Sequence, residues 1–365
     1  MTTSRYHRQT LLPDWGDEGQ ARLGASRAVV VGVGALGCVI AEHLARAGVG
    51  RLTLVDRDVV ERTNLQRQTL FTEADADEAT PKAEAARRRL GEVNSEVGVE
   101  AVVADFRGRN AERLVGAGSR ASGPGSVLPD QPPVPGSRCL IIDGTDNFET
   151  RFVLNDLAVK HGLPYVYGGA VGTRGMVMVV DPRDEWRPCL RCLFRDVPPP
   201  GSQPTCDTAG VLAPAVGVIG SMQAAEAIKL MLGAGESVSR ELVEIDLWVN
   251  THRRVPLDGA RDPACPCCAE RRFEFLDGDR GGGQVSLCGR DAVQVSPGEG
   301  GRVDLPALAQ RLAAHGSFNA NRFLVRGTLE ESALSLTVFA DGRAIVNGTD
   351  DPARARAIYA RYVGA

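Results

Sequence analysis

The chain has 365 residues, 43% hydrophobic and 24% charged, with a formal net charge of −4 at pH 7. That composition fits a globular protein of one large domain or two ordinary ones, and the acidic balance argues against a nucleic-acid binder. No apolar run reaches the roughly 18 residues of a membrane span, and the opening MTTSRYHRQTLLPDWGDEGQ lacks the apolar stretch of a secretory signal.

The expected location is therefore the cytoplasm, where thiols stay reduced. The nine cysteines then read as metal ligands, nucleophiles or packing residues rather than a disulfide framework. From Ala28 the pattern is βαβ: RAVVVGV reads as a buried strand, GCVIAEHLARAG as an amphipathic helix, and RLTLVD as a strand ending at Asp56. The first turn carries G-x-G-x-x-G (Gly32, Gly34, Gly37), with Asp56 about twenty residues on. The glycines suit a tight turn and close backbone approach to phosphates, and the carboxylate suits a ribose. That much fits NAD as well as ATP.

The polar loop RDVVERTNLQRQTLF follows, then a helix PKAEAARRRLGEV with Pro81 in its first turn, then a strand VEAVVADF. TNLQRQ (Thr63 to Gln68) with Lys82 puts cations and amides at the strand ends, which suits a triphosphate. The alternative is a solvated loop and an ordinary helix lysine, and spacing alone does not choose. Residues 116–137, rich in Gly, Pro and Ser, read as a surface insertion. CLIIDGTDN is then a strand, FETRFVLNDLAVKHG a helix, and PYVYGGA and RGMVMVVD further strands. Ligands in such sheets sit at the carboxyl ends of strands, where Asp56 and Asp146 fall. Within DGTDN, Asp146 can hold Mg²⁺ beside a polyphosphate, or the segment is a plain Asx turn. Arg151 is expected to pair with Asp146 or to cap the surface.

Residues 183–212 form a Pro-rich, cysteine-bearing connection. The helix after it, Pro214 to Gly233, is apolar on every face, which predicts full burial. Two C-x-x-C pairs, Cys189/Cys192 and Cys265/Cys268, can supply four thiolates to one structural, tetrahedral Zn²⁺, with Cys267 able to stand in for a neighbour. The alternatives are two unrelated reduced pairs or a redox pair. Cys206, on a loop before the apolar helix, reads as a nucleophile or a small packing residue. Cys38 and Cys139 are expected in the core, and the five histidines form no metal or triad spacing. LDGDRGGGQ (276–284) reads as a linker. The tail then offers a strand AVQVS, a helix LPALAQRLAAHG, two strands ALSLTVFA and RAIVNG, and a last helix, a small α+β pattern.

In this order RYHRQ, GVGALG, LVDRDVVERTNLQRQTLF, PKAEAA, DGTDNFETR, the paired cysteines and CDTAGVLAPAVGVIGSMQAAEAIKLMLG resemble the ThiF/MoeB family of E1-like enzymes, over about residues 5–275. The resemblance implies ATP rather than NAD. It implies an α/β, Rossmann-like adenylation fold with a mostly parallel sheet flanked by helices over 1–275, then the linker and a small α+β domain over 285–365. The implied activity is adenylation of the C-terminal glycine carboxylate of a small ubiquitin-like sulfur carrier ending in Gly-Gly. Gly32, Gly34 and Gly37 would approach the nucleotide and Asp56 its ribose. Asn64, Arg67, Gln68 and Lys82 would line the phosphates, and Asp146 would hold Mg²⁺. Arg8 would reach into the partner's site of a homodimer, and Cys206 serves some members as a sulfur-transfer nucleophile. Ala35 stands where the family often has glycine, and Thr63 where it often has serine. The tail is shorter than a rhodanese domain and carries only Cys288, so a separate sulfur donor is expected. The rival readings are an NAD(P)-dependent oxidoreductase and a non-catalytic nucleotide-binding scaffold.

Overall fold

The computed structural model describes residues 4–116, 139–198, 206–278, 291–295, 303–330 and 334–364, without the side chains of Cys206 and Asp207. The expected insertion from 117 onward, most of the 276–284 linker and Cys288 lie outside the described residues. Two compact units result, Met1–Pro198 with Ala209–Gly281, and Pro199–Thr208 with Gly282–Ala365.

The first unit begins with two helices, α1 (His7–Thr10) and α2 (Gly16–Gly24), then β1 (Arg27–Val31), α3 (Ala35–Ala47) and β2 (Arg51–Asp56). Next come α4 (Glu73–Asp77), α5 (Lys82–Val93), β3 (Gly98–Val103), α6 (Gly108–Val115), β4 (Cys139–Asp143) and α7 (Phe148–His161). The chain continues through β5 (Tyr165–Val171), β6 (Arg174–Val180), α8 (Leu190–Leu193), α9 (Cys206–Ala209, its first three residues in the second unit), α10 (Ala213–Leu232), β7 (Glu241–Asp246) and β8 (Thr251–Pro256). The strands make one sheet in the order β3-β2-β1-β4-β5-β6-β7-β8. It is parallel from β3 to β5 and antiparallel from β5 to β8.

The parallel strands are buried on both faces because helices cover each side. Alternation assigns their side chains to two layers. Ala28, Val30, Leu52 and Leu54 pack with α3, α5 and α10. Val29, Val31, Val55 and Ile141 pack with α6, α7 and the cysteine-bearing segments. Cys38 is fully buried, while Cys139, expected in the core, is half-buried.

The full burial expected for the apolar helix is not what the fold produces. Along α10, Ala215, Val216, Ile219, Gln223, Ala227 and Met231 are buried, but Gly217, Val218, Ser221 and Met222 are half-buried and Ala225 is exposed. A cylinder lying on one sheet face covers only the stripe that meets the sheet and α3. The expectation of no span-length apolar segment also needs correcting. This 20-residue helix is long and apolar enough to cross a membrane by composition, yet 56% of its most apolar window is buried inside the protein.

The hairpin β7–β8 carried no recognisable sequence signal, since every residue of β8 (THRRVP) is exposed at the sheet's edge. The second unit holds β9 (Ala292–Val295), α11 (Leu305–Leu312), β10 (Gly316–Ala320), β11 (Leu324–Leu329), β12 (Ser335–Phe339), β13 (Ala344–Asn347) and α12 (Pro352–Tyr362). Its antiparallel sheet runs β10-β11-β12-β13-β9, two strands more than the pattern predicts. Asp304 and Asp351 cap the two helices, each with a proline in the first turn. Leu308, Leu312, Val325, Leu336 and Val346 fill the core beneath them.

The loops after β1 and β4 meet through glycine. Gly32 has φ +85°, and its carbonyl is so enclosed that a Cβ on Gly37 would lie 2.0 Å from it and one on Gly144 2.1 Å. Gly144→Ala is expected to cost about 3 kcal/mol. Gly91→Ala, in the open on α5 with nothing within 4 Å, should instead gain up to about 1 kcal/mol. Paired denaturant melts of the two variants check both signs.

Candidate nucleotide site and four-cysteine centre

The carboxyl ends of β1, β2 and β4 surround the N-terminus of α3. That terminus has no side-chain cap, so its first amides are available to an anion. Gly34 is its N-cap residue. A Cβ there would meet nothing nearer than Gln68 Nε2 at 3.9 Å, unlike the enclosed positions of Gly32 and Gly37. Gly34 is therefore the glycine that leaves backbone open to a ligand, and Gly32 and Gly37 shape the turn.

Asp56 ends β2 with its carboxylate accepting from the amides of Val33 at 2.6 Å and Asp58 at 2.7 Å. Burial pushes its carboxyl above the usual carboxylate range, against the pull of the Lys82 ammonium. Each oxygen keeps a lone pair for a further donor. Lys82 opens α5, one residue after Pro81, which serves as N-cap rather than lying in the first turn. Only 5% exposed, its Nζ lies 3.3 Å from Asp58 Oδ2. Asp58 also pairs with Arg57, which reaches Asp105 at 3.2 Å. Sequence reasoning passed over Asp58; its place two residues beyond the strand-end acid was the available signal.

The polar loop supplies the opposite wall. Asn64 is buried, and its Oδ1 accepts from the Glu61 amide at 3.0 Å, closing a short 3-10 turn. Arg67 is half-buried and donates to the Thr63 carbonyl at 3.0 Å. Gln68 is buried with its Nε2 toward Gly34, while its Oε1 has no hydrogen-bond partner among the described residues. A buried amide oxygen without a donor is costly alone and marks a place for a ligand group.

After β4 the two aspartates of DGTDN part company. Asp143 is fully buried and accepts from Thr145 N, Thr145 Oγ1 and Tyr165 Oη at 2.7–2.8 Å. The Arg151 guanidinium lies 3.4 Å from it. Arg151 thus neither pairs with Asp146 nor caps the surface. It is buried between the Phe148 and Tyr167 rings and donates to the Thr145 carbonyl at 2.9 Å. Asp146 is exposed and makes no hydrogen bond or ion pair among the described residues. Asn147 caps α7, accepting from Thr150 N at 2.8 Å. Asp146 is therefore the free carboxylate of this loop, and its neighbour anchors the helix.

Arg8 is exposed on α1 and has no partner among the described residues. Its segment is tied down by Gln9, which donates to the Ala47 carbonyl, and by Tyr6, which accepts from Asn94 and donates to Glu96. Ala47 ends α3, some 20 Å from the Gly34 end by helical rise. Arg8 therefore lies on the side of the domain away from the Gly34 end of α3.

The four predicted cysteines converge. Sγ atoms lie 3.9 Å apart for Cys189–Cys192, 3.6 Å for Cys189–Cys265 and 3.5 Å for Cys192–Cys268. All four fall within 4.8 Å of one another. Zinc–sulfur bonds of about 2.3 Å in a tetrahedron place sulfurs about 3.8 Å apart, so the donor set and spacing fit Zn²⁺. Cys267 stands outside this set. The Cys206 thiol lies outside the described residues, and burial pushes the Cys38 thiol up to about 12, which leaves it protonated.

A parallel sheet with an uncapped helix N-terminus, a strand-end acid and a lysine-bearing wall defines an α/β nucleotide-binding domain. The ThiF family matches residues 6–267; the chain belongs to that family. It is 40% identical over 363 residues to the sulfur carrier protein ThiS adenylyltransferase of Bacillus subtilis, covering 99% of this chain and 100% of that one. It is 37% identical over 267 residues to the molybdopterin-synthase adenylyltransferase of Escherichia coli, covering 73% of this chain and 96% of that one. The fold is also that of E. coli MccB crystallised with ATP, with a TM-score of 0.57 at 21% identity over 73% of this chain and 75% of that chain.

The two aspartates should separate by experiment. Asp143→Ala strands a buried guanidinium and is expected to cost about 3 kcal/mol or more, while Asp146→Ala should leave the melting temperature unchanged. Differential scanning calorimetry of both variants checks this.

Proposed function

We infer that this chain is an ATP-dependent adenylyltransferase that activates the C-terminal carboxylate of a small ubiquitin-like sulfur carrier protein. The observation that carries the reading is the open Gly34 backbone at the head of α3, with Gln68 beside it and the buried Lys82 drawn toward Asp56 and Asp58, within a chain akin end to end to a sulfur carrier adenylyltransferase. A carboxylate oxygen of the carrier's last glycine forms a bond to the α-phosphorus of ATP. The bond from that phosphorus to the bridging oxygen breaks, and pyrophosphate leaves with the electron pair. A carboxylate is already nucleophilic at neutral pH, so the site needs positioning and charge neutralisation rather than a strong base.

Within that reading, Asp56 takes the ribose hydroxyls on its remaining lone pairs. The α3 amides, Asn64, Arg67, Gln68 and Lys82 hold the phosphates. The unpartnered, exposed Asp146 fits Mg²⁺, which would neutralise charge on the departing phosphates. Arg8, anchored at the far pole of its own subunit, completes the site of a second subunit. The half-buried apolar stripe of α10 supports such a homodimer. The four cysteines hold structural Zn²⁺. The carrier docks where β8 leaves the sheet edge unpaired, beside Trp248, 74% exposed at the hairpin turn. A separate protein donates the sulfur. An oxidoreductase would leave Lys82, Arg67 and the cysteine centre without tasks, and a scaffold has no use for phosphate-facing cations.

ATP–pyrophosphate exchange with Mg²⁺ and a panel of small carriers ending in Gly-Gly tests the reading. Exchange is expected with one carrier, falling about 100-fold or more in Lys82→Ala and unchanged in Cys206→Ala. ATP binding without exchange across every carrier of the same genome would favour the scaffold. Elemental analysis should find one zinc per chain, and stripping it with a chelator should lower the melting temperature by several degrees.

A further inference from the structure

The middle of α7 carries a polar side chain that the nucleotide chemistry does not use. Asn155 is fully buried. Its Oδ1 accepts from the Leu190 amide at 2.8 Å, the residue after Cys189. Its Nδ2 donates to Cys267 Sγ at 3.3 Å, between Cys265 and Cys268. One amide group thus grips both cysteine knuckles, which lie 35 and 112 residues further along the chain. Cys267 is itself buried and within hydrogen-bonding reach of Asp156. Asp156 Oδ2 accepts from the amides of Phe275 at 3.0 Å and Leu276 at 3.4 Å, and its buried Oδ1 has no amide donor among the described residues. A thiol has a single S–H. With one sulfur lone pair of Cys267 taken by Asn155, that S–H is left to reach Asp156 Oδ1.

We propose that Asn155 is a positioning residue for the four-cysteine centre, and that it acts through Cys267, a non-ligating thiol held between the Asn155 amide and the Asp156 carboxylate, to which its S–H donates. The inference rests on the zinc reading above. Groups outside the ligand set orient the ligands and tune their hold on the metal. Here a single helix side chain does so for two ligand-bearing loops at once.

The test is zinc release from the full-length protein into a chromogenic chelator, with melting temperature and zinc content measured alongside. Wild type should carry one zinc. Cys267→Ala should release it roughly tenfold faster. Cys267→Ser, whose hydroxyl still donates, should release it within about twofold of the wild-type rate. Asn155→Asp keeps the acceptor for Leu190 N and loses the donor to Cys267, so it should also release faster. The Asn155→Asp/Cys267→Ala double variant should be no faster than the faster single variant, because the two residues act in one chain. If Asn155→Asp does not fold, the Ala and Ser variants of Cys267 decide alone. Release from Cys267→Ala at the wild-type rate, or equal acceleration in Ala and Ser, overturns the proposal while leaving the zinc site standing. A wild-type protein without zinc overturns both.

Discussion

The site depends on the packing of three backbone segments around the Gly32 carbonyl. Gly37 and Gly144 both lie so close to that oxygen that a methyl group on either would overlap it. The contact brings the turn after β1, the first turn of α3 and the loop after β4 into one cluster. Every feature of the nucleotide end follows from it: the exposed Gly34, the uncapped helix start, and the Asp143–Asn147 loop. Glycine is required where chain meets chain as much as where chain meets ligand, and the glycine fingerprint serves both purposes at different residues.

A second constraint is the allocation of carboxylates. Asp143 is spent on holding the loop, bound by Thr145, Tyr165 and Arg151 in a dry environment. Asp58 is spent on the Lys82 ammonium. Buried charges of this kind persist only when paired and hydrogen-bonded. That leaves Asp146 at the surface with a free carboxylate, and Asp56 with both oxygens oriented by backbone amides but still able to accept. On the proposed reading, the site is thus acidic where a sugar and a cation would sit, and cationic where phosphates would sit.

Helix α7 joins this end of the molecule to the cysteine centre. Its cap, Asn147, lies beside Asp146, and two turns on Asn155 and Asp156 bind the backbone around both knuckles. Arg191, buried against Phe152 and Phe275 and paired with Glu274, closes the same layer. The four gathered cysteines thus sit beside the middle of α7, and the connections that carry them are tied to that helix.

The sequence by itself determined the parallel half of the sheet, because runs such as AVVV and LTLV are apolar at every position only when covered on both faces. It also determined the glycine turn, the strand-end acids and the two cysteine pairs, whose meaning is local in spacing. The cysteines converge as their spacing implied. What it did not carry was the outer hairpin β7–β8, whose edge strand is polar throughout, or β10 and β11 in the tail, where GSFNA and LVRGTL lack a clean alternation. Arg151 looked like a partner for Asp146 because the two are close in sequence, yet its charge belongs with Asp143 and the rings of Phe148 and Tyr167. Only the tertiary structure decided which carboxylate is buried, which glycine is open, which face of α10 stays half-bare, and that Asn155 reaches both knuckles. Each of these depends on contacts between segments far apart in sequence, and such contacts leave no periodic trace along the chain.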